Sequence, residues 1–126
     1  YLEGDYALNH RQQYLNKTAN PYNDDQVVQW FNATYAILTQ GSRLVYATHG
    51  DRYNLASLPP MQPGDILLHG HTHVPVWQPF GQDNYYLNPG STSLPKENSP
   101  HSYLLWDGDT FTWKDMDGQV FHQLVL

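Results

Sequence analysis

The chain has 126 residues, 40 % of them hydrophobic, with a net charge of −6 and no cysteine. That length supports one domain with a real core, and the missing cysteine excludes disulfides, thiol catalysis and thiolate metal sites. Only six Lys plus Arg are present, too few for a basic face that would grip duplex nucleic acid. No apolar run reaches the length of a membrane span, so the expectation is a cytoplasmic protein with no membrane and no nucleic-acid partner. The chain opens at Tyr1 rather than Met, and it reads as a fragment.

In chain order, Tyr1-Leu2 reads as the end of a short strand closed by Gly4-Asp5. Residues 9–24 are polar, with Asn20-Pro21 as a breaker, and read as a loop. A short helix is expected over Asp25 to Asn32, capped by Asn23 or Asp24. From Tyr35 the pattern turns to strands: Tyr35–Leu38, a turn at 40–42, then Arg43–Thr48. Pro59, Pro60, Pro63 and Gly64 punctuate a loop before a strand at Asp65–His69. Strands follow at Trp77–Phe80 and Tyr85–Leu87, flanking Gly81-Gln82-Asp83-Asn84. The tail carries Tyr103–Trp106 and Thr110–Trp113 around Asp107-Gly108-Asp109, then Gln119–Val125. Several runs are too continuously apolar for a one-sided surface sheet, which favours a sheet covered on its faces.

The segment Asp65–Val76, DILLHGHTHVPV, places histidines at 69, 71 and 73. In an extended chain, alternate residues share a face roughly 6.5–7 Å apart. His71 and His73 are therefore expected on one side, either serving two neighbouring metal ions or closing on one. Solvated or core-bonded histidines would fit an isolated His-x-His equally well. Other strand ends add polar groups followed by glycine: Thr48-His49-Gly50, Gly4-Asp5, and Asn88-Pro89-Gly90-Ser91. Polar residues gathered at successive strand ends are how α/β sheets build ligand sites.

Four segments, THG at 48–50, GDILLHGHTHVPV at 64–76, YLNPGSTSLPK at 86–96 and HSYLLWDGDTFTWKDMDG at 101–118, resemble the C-terminal half of small bacterial calcineurin-like metallophosphoesterases of the YfcE type. The resemblance runs from residue 35 to 126, and GDYALNH at 4–10 and YNDDQVVQWFN at 22–32 extend it upstream. It implies an α/β fold, the β-rich part of a four-layer α/β/β/α sandwich. It also implies a metal-dependent phosphodiesterase with two divalent ions: Mn²⁺ first, with Zn²⁺, Fe²⁺, Ni²⁺ or Mg²⁺ as alternatives. Asp5 matches the carboxylate that bridges both ions, His49 and His71 match imidazoles on one ion, and His73 matches a ligand of the other. Asp5 and His71 are then the catalytic pair. The implied substrate is a small phosphodiester or phosphomonoester, and a homo-oligomer is compatible with the family.

The chain departs from the family pattern in ways that matter. No Asp-x-His precedes Asp5, and no Gly-Asn-x-Asp occurs where it is expected, between Asn32 and Ala33. The reading is thus a single domain over 1–126 lacking the first metal motif and, at 32–33, the third. Its alternative is a truncated, non-catalytic module that binds a metal or a partner. His10, Asn88 and His101 are candidates for supporting contacts around the site, with a side-chain-stabilised turn as the plainer role for Asn88. His69 is expected to pack or to support a neighbouring ligand, Asp65 to open its strand, and His122 to lie on the surface.

Overall fold

The structure, a computed structural model, describes residues 35–126. The readings of Asp5, His10, the 25–32 helix and the 32–33 junction lie outside those residues. Eight strands are described: β1 (Tyr35–Gln40), β2 (Arg43–Thr48), β3 (Ile66–His69), β4 (Pro75–Phe80), β5 (Asn84–Pro89), β6 (Ser102–Asp107), β7 (Thr110–Asp115) and β8 (Val120–Val125). Each lies where alternation and turn residues place it; five are longer by two or three residues, β2 matches, and β3 and β8 each start one residue later. The β1–β2 hairpin turns on two residues with Gln40 opposite Arg43, and Gly41 takes φ +60°. A glycine first in a two-residue hairpin turn matches the twist of the flanking strands. No helix among the described residues is long and apolar enough to cross a membrane.

The strands form a five-stranded sheet, β1-β2-β3-β5-β4, and a three-stranded antiparallel sheet, β6-β7-β8. In the larger sheet β2, β3 and β5 run parallel, while the outer strands β1 and β4 are antiparallel to their neighbours. The parallel centre decides where chemistry can sit. It brings the carboxyl ends of β2, β3 and β5 to one rim, so Thr48, His69 and the Asn88-Pro89 end lie side by side.

The two sheets meet face to face. Val45, Ile66 and Leu87 of the larger sheet pack on Phe111 and Trp113 of β7, joined at the margins by Leu68, Trp77, Leu104 and Trp106. Full burial of Val45, Ile66, Leu87 and Phe111 contributes roughly 1.5–3 kcal/mol each, which makes this layer the main cohesive element. The opposite face of the larger sheet carries Tyr35, Ile37, Leu44 and Tyr46, covered in part by Tyr53 and Met61. Of the tail, Phe111 and Trp113 are core, whereas Leu105, Val120, Phe121 and Val125 are exposed.

Asp65 stands immediately before β3 rather than in it, and its chemistry is structural. The side chain is fully buried and accepts hydrogen bonds from Leu44 N at 3.0 Å and Gln62 N at 2.9 Å. Asn84 donates from Nδ2 to the carbonyls of Gln62 and Asp65, both at 2.9 Å. These bonds lock the entry of β3 against β2 and β5, which fixes the register that later delivers the histidines.

His122 is half-buried rather than a free surface residue. It stacks on Trp77 with ring centres 3.7 Å apart and planes 10° from parallel, and meets Trp113 edge-on at 5.4 Å. The apolar wall between the two sheets draws the imidazole in, and burial holds its pKa below the ordinary 6.5.

Candidate metal centre at the strand ends

Strand β3 ends at His69, so the extended geometry expected for His71 and His73 is corrected. Both residues lie beyond the strand with positive φ, +66° at His71 and +63° at His73. Thr72 N donates to Gly70 O at 2.7 Å. That three-residue bond across a positive-φ residue is the mark of a γ-turn of the rare, strained kind. Left-handed backbone at a non-glycine residue costs on the order of 1–3 kcal/mol and persists only where its surroundings over-determine it. The spacing of histidines was legible in the sequence; the backbone that aims them was not.

His49 and His71 come together. The rings lie 5.1 Å apart between centres, and His49 Nε2 is 3.3 Å from His71 Nδ1. Two nitrogens each about 2.0–2.1 Å from a single ion, at a roughly tetrahedral angle, stand about 3.3–3.4 Å apart. The pair therefore fits two imidazoles on one divalent ion. Gly70 N donates to His49 O at 3.1 Å, which ties the loop after β3 to the loop after β2 and sets that approach.

His73 is held separately. Its Nδ1 donates to Leu94 O at 2.8 Å, and its own carbonyl accepts Lys96 N at 3.0 Å. A backbone carbonyl on one ring nitrogen fixes the tautomer and leaves Nε2 as the lone-pair donor, a common orientation for metal-binding histidine. Among the described residues no group of three or more His, Asp or Glu side chains gathers as a metal shell.

Behind the pair lies His69, only 4 % exposed. It stacks on Tyr86 with centres 4.3 Å apart, and its Nδ1 donates to Gly70 O at 3.0 Å. Burial, then the neighbouring His71 and His49, push its pKa down, partly opposed by the bond to Gly70. Packing is its evident role, as expected. Gly50 wedges against it with φ +113°, so close that a Cβ there would lie 2.4 Å from His69 Nδ1 and 3.0 Å from His71 Cβ. The glycine after His49 is thus a condition for the histidines to converge.

Asn88 is fully buried. Its Oδ1 accepts Gly90 N at 2.9 Å, closing the turn, while Nδ2 reaches Gly70 O, Thr72 Oγ1 and Tyr86 OH at 2.9, 2.9 and 2.8 Å. The side chain closes the turn, as the plainer reading has it, and also binds the backbone and hydroxyl on either side of His71. His101 is exposed, with Nδ1 donating to Thr92 O at 2.7 Å; this ties the end of the 91–101 loop. Sequence reasoning did not single out Tyr86, Thr72 or Trp113. Tyr86 and Asn88 sit two apart on one strand face, a usable signal; Trp113 is distant in sequence and carried none.

Residues 10–110 match the calcineurin-like phosphoesterase superfamily domain. The chain belongs to the calcineurin-like phosphoesterase superfamily. Phosphodiesterase YfcE of Escherichia coli K12 is 36 % identical over 91 residues, covering 70 % of this chain and 48 % of that protein. The same figures hold for YfcE of E. coli O157:H7. Among solved structures, the E. coli YfcE phosphoesterase superposes with a TM-score of 0.68 at 30 % identity, over 75 % of this chain and 52 % of that one. A predicted phosphoesterase from Streptococcus pneumoniae TIGR4 shares the fold, with TM-score 0.53 and 22 % identity over 74 % and 62 % of the two chains. The chain spans about half the length of the curated relatives it matches. The two packed sheets are the β/β layers of the superfamily's α/β sandwich.

Proposed function

We propose that this chain carries the histidine-bearing half of a metal-dependent phosphodiesterase acting on small phosphate esters. The observation that carries the reading is the 3.3 Å approach of His49 Nε2 to His71 Nδ1 at the carboxyl rim of a parallel sheet, in a superfamily of phosphoesterases. His49 and His71 would hold one divalent ion. His73, with Nδ1 committed to Leu94 O, would offer Nε2 to a second, and Asp5 would bridge the two. Mn²⁺ is the first expectation for both. Such ions, when bound, supply positive charge for the phosphoryl oxygens and the leaving group.

The chain's own contribution is placement. The tether from Gly70 N to His49 O keeps both imidazoles at one rim. The Leu94 carbonyl holds the His73 tautomer, so the ring need not reorganise when it binds. Asn88 shapes the floor, and His101 anchors the 91–101 loop beside it. Small phosphodiesters suit an acidic chain with six Lys plus Arg better than polyanionic nucleic acid does.

A second reading, a non-catalytic metal- or partner-binding module, is favoured by one observation: the described residues alone do not assemble three ligands. Hydrolysis of a chromogenic phosphodiester by the 126-residue chain, with and without Mn²⁺, separates the two. The phosphodiesterase reading expects turnover only with metal, lost in His71→Ala. Turnover that is absent with Mn²⁺, or that survives His71→Ala, overturns it.

A further inference from the structure

The Gly70 carbonyl is unusually loaded. It accepts from Thr72 N at 2.7 Å, His69 Nδ1 at 3.0 Å and Asn88 Nδ2 at 2.9 Å. A carbonyl oxygen has two lone pairs, so three donors converging on one make it a fixed point of the loop. The loop it fixes is the strained one, with His71 and His73 both at positive φ. Of the three donors, two belong to the loop or its own strand. Asn88 alone comes from another strand, and it also reaches past Gly70 to the Thr72 hydroxyl at 2.9 Å.

Asn88 is itself held from behind. Its Oδ1 is occupied by Gly90 N, and its backbone carbonyl accepts the indole N–H of Trp113 at 2.7 Å. Trp113 is fully buried in the layer between the sheets. A continuous path therefore runs from β7 of the smaller sheet, through Asn88 of the larger, to the backbone on either side of His71.

We infer that Asn88 is a positioning residue: its carboxamide clamps Gly70 and Thr72 so that His71 keeps the left-handed backbone that brings Nδ1 to His49, with Trp113 as the clamp's anchor. The clamp is a property of the fold; its use in metal binding rests on the phosphodiesterase reading.

The chemistry of the contacts selects the test. Asn88→Asp keeps the shape and the Oδ1 acceptor but replaces the amide donor with an oxygen. The hydroxyls of Thr72 and Tyr86 can rotate to donate to that oxygen. The Gly70 carbonyl cannot, so the variant sets two acceptors against each other at that one point. Thr72→Val removes only the outer contact, at an exposed position where folding is not at risk. Ile37→Val, in the separate cluster on the opposite face, serves as a control of lowered stability.

Two readouts are taken on the full chain: amide hydrogen exchange without metal, and Zn²⁺ affinity by calorimetry. In Asn88→Asp the amides of Gly70, residue 72 and Lys96 should exchange at least tenfold faster, while those of Tyr46 and Leu67 keep the protection expected from its overall stability. Zn²⁺ should bind 10–100-fold more weakly, the range typical for loss of a residue that orients metal ligands. Thr72→Val should show the same pattern more weakly, and Ile37→Val should leave Zn²⁺ affinity unchanged. Unchanged exchange at all three loop amides in Asn88→Asp overturns the clamp, as does a weakening of Zn²⁺ binding matched by Ile37→Val. Parent protein that binds no Zn²⁺ defeats the phosphodiesterase reading instead, and the exchange result then decides the clamp alone.

Discussion

Gly50→Ala should be strongly destabilising. The new Cβ would stand 2.4 Å from His69 Nδ1 and 2.9 Å from His69 Cγ, where ordinary contact begins near 3.4 Å. The imidazole must therefore retreat by about 1 Å, and it has little room, being 4 % exposed and stacked on Tyr86. Overpacking of this kind costs about 1–3 kcal/mol. A side chain at φ +113° adds strain on the order of 1–3 kcal/mol, for a combined loss of about 2–6 kcal/mol. Gly41→Ala supplies the comparison, since Gly41 also has positive φ but nothing within 4 Å of a new Cβ; strain alone, about 1–2 kcal/mol, is expected there. Urea unfolding of both variants, with equal m-values, measures the difference directly. A Gly50→Ala loss no larger than that of Gly41→Ala would refute the close packing of Gly50 on His69, and with it the account of why a glycine follows His49.

Asp65→Ala should cost about 2–4 kcal/mol in the same assay, because Leu44 N and Gln62 N would each lose their acceptor; a loss under about 0.5 kcal/mol would contradict the buried network. His122 should titrate below 6.5 when followed by NMR, since burial against Trp77 disfavours its charged form. The unfolded chain then binds the proton more readily, so His122 makes stability fall as pH drops below about 6.5 and level off below its folded pKa. His122→Leu should flatten that part of the pH–stability curve, and an unchanged slope would count against the burial argument. His71→Ala should abolish Mn²⁺-dependent phosphodiester hydrolysis and lower bound metal in the same preparation, leaving the unfolding midpoint within the range of other surface changes.

Much of the fold was legible because its signals are local. Alternation, Gly-containing turns and the prolines at 59, 60 and 63 delimit every described strand. The pairing was not legible in this way: nothing within Arg43–Thr48 says that β3 joins it in parallel, or that Trp113 packs behind Asn88. At the site, the spacing of His49, His71 and His73 drew attention to a pair, His49 and His71, that the fold brings together, but the inference of an extended His-x-His was wrong in its geometry. The strand stops at His69 because the Gly70 carbonyl is taken up by Thr72 N, His69 and Asn88, and two of those three partners depend on the tertiary fold or on a turn no local pattern announces. Likewise, Asn88 read as a turn residue because its bond to Gly90 N is local; its bonds to Gly70 and Thr72 cross strands and needed the sheet order.

Whether His49 and His71 share one ion is tested by a Zn²⁺ titration of the chain with ¹⁵N-labelled imidazoles, followed by long-range ¹H–¹⁵N NMR. The shared-ion geometry predicts that His49 Nε2 and His71 Nδ1, 3.3 Å apart, shift together as one ion binds, that His73 responds at Nε2 while Nδ1 keeps its proton for Leu94 O, and that His122 stays unmoved. Zn²⁺ that leaves His49 and His71 unshifted, or that shifts one without the other, would contradict it.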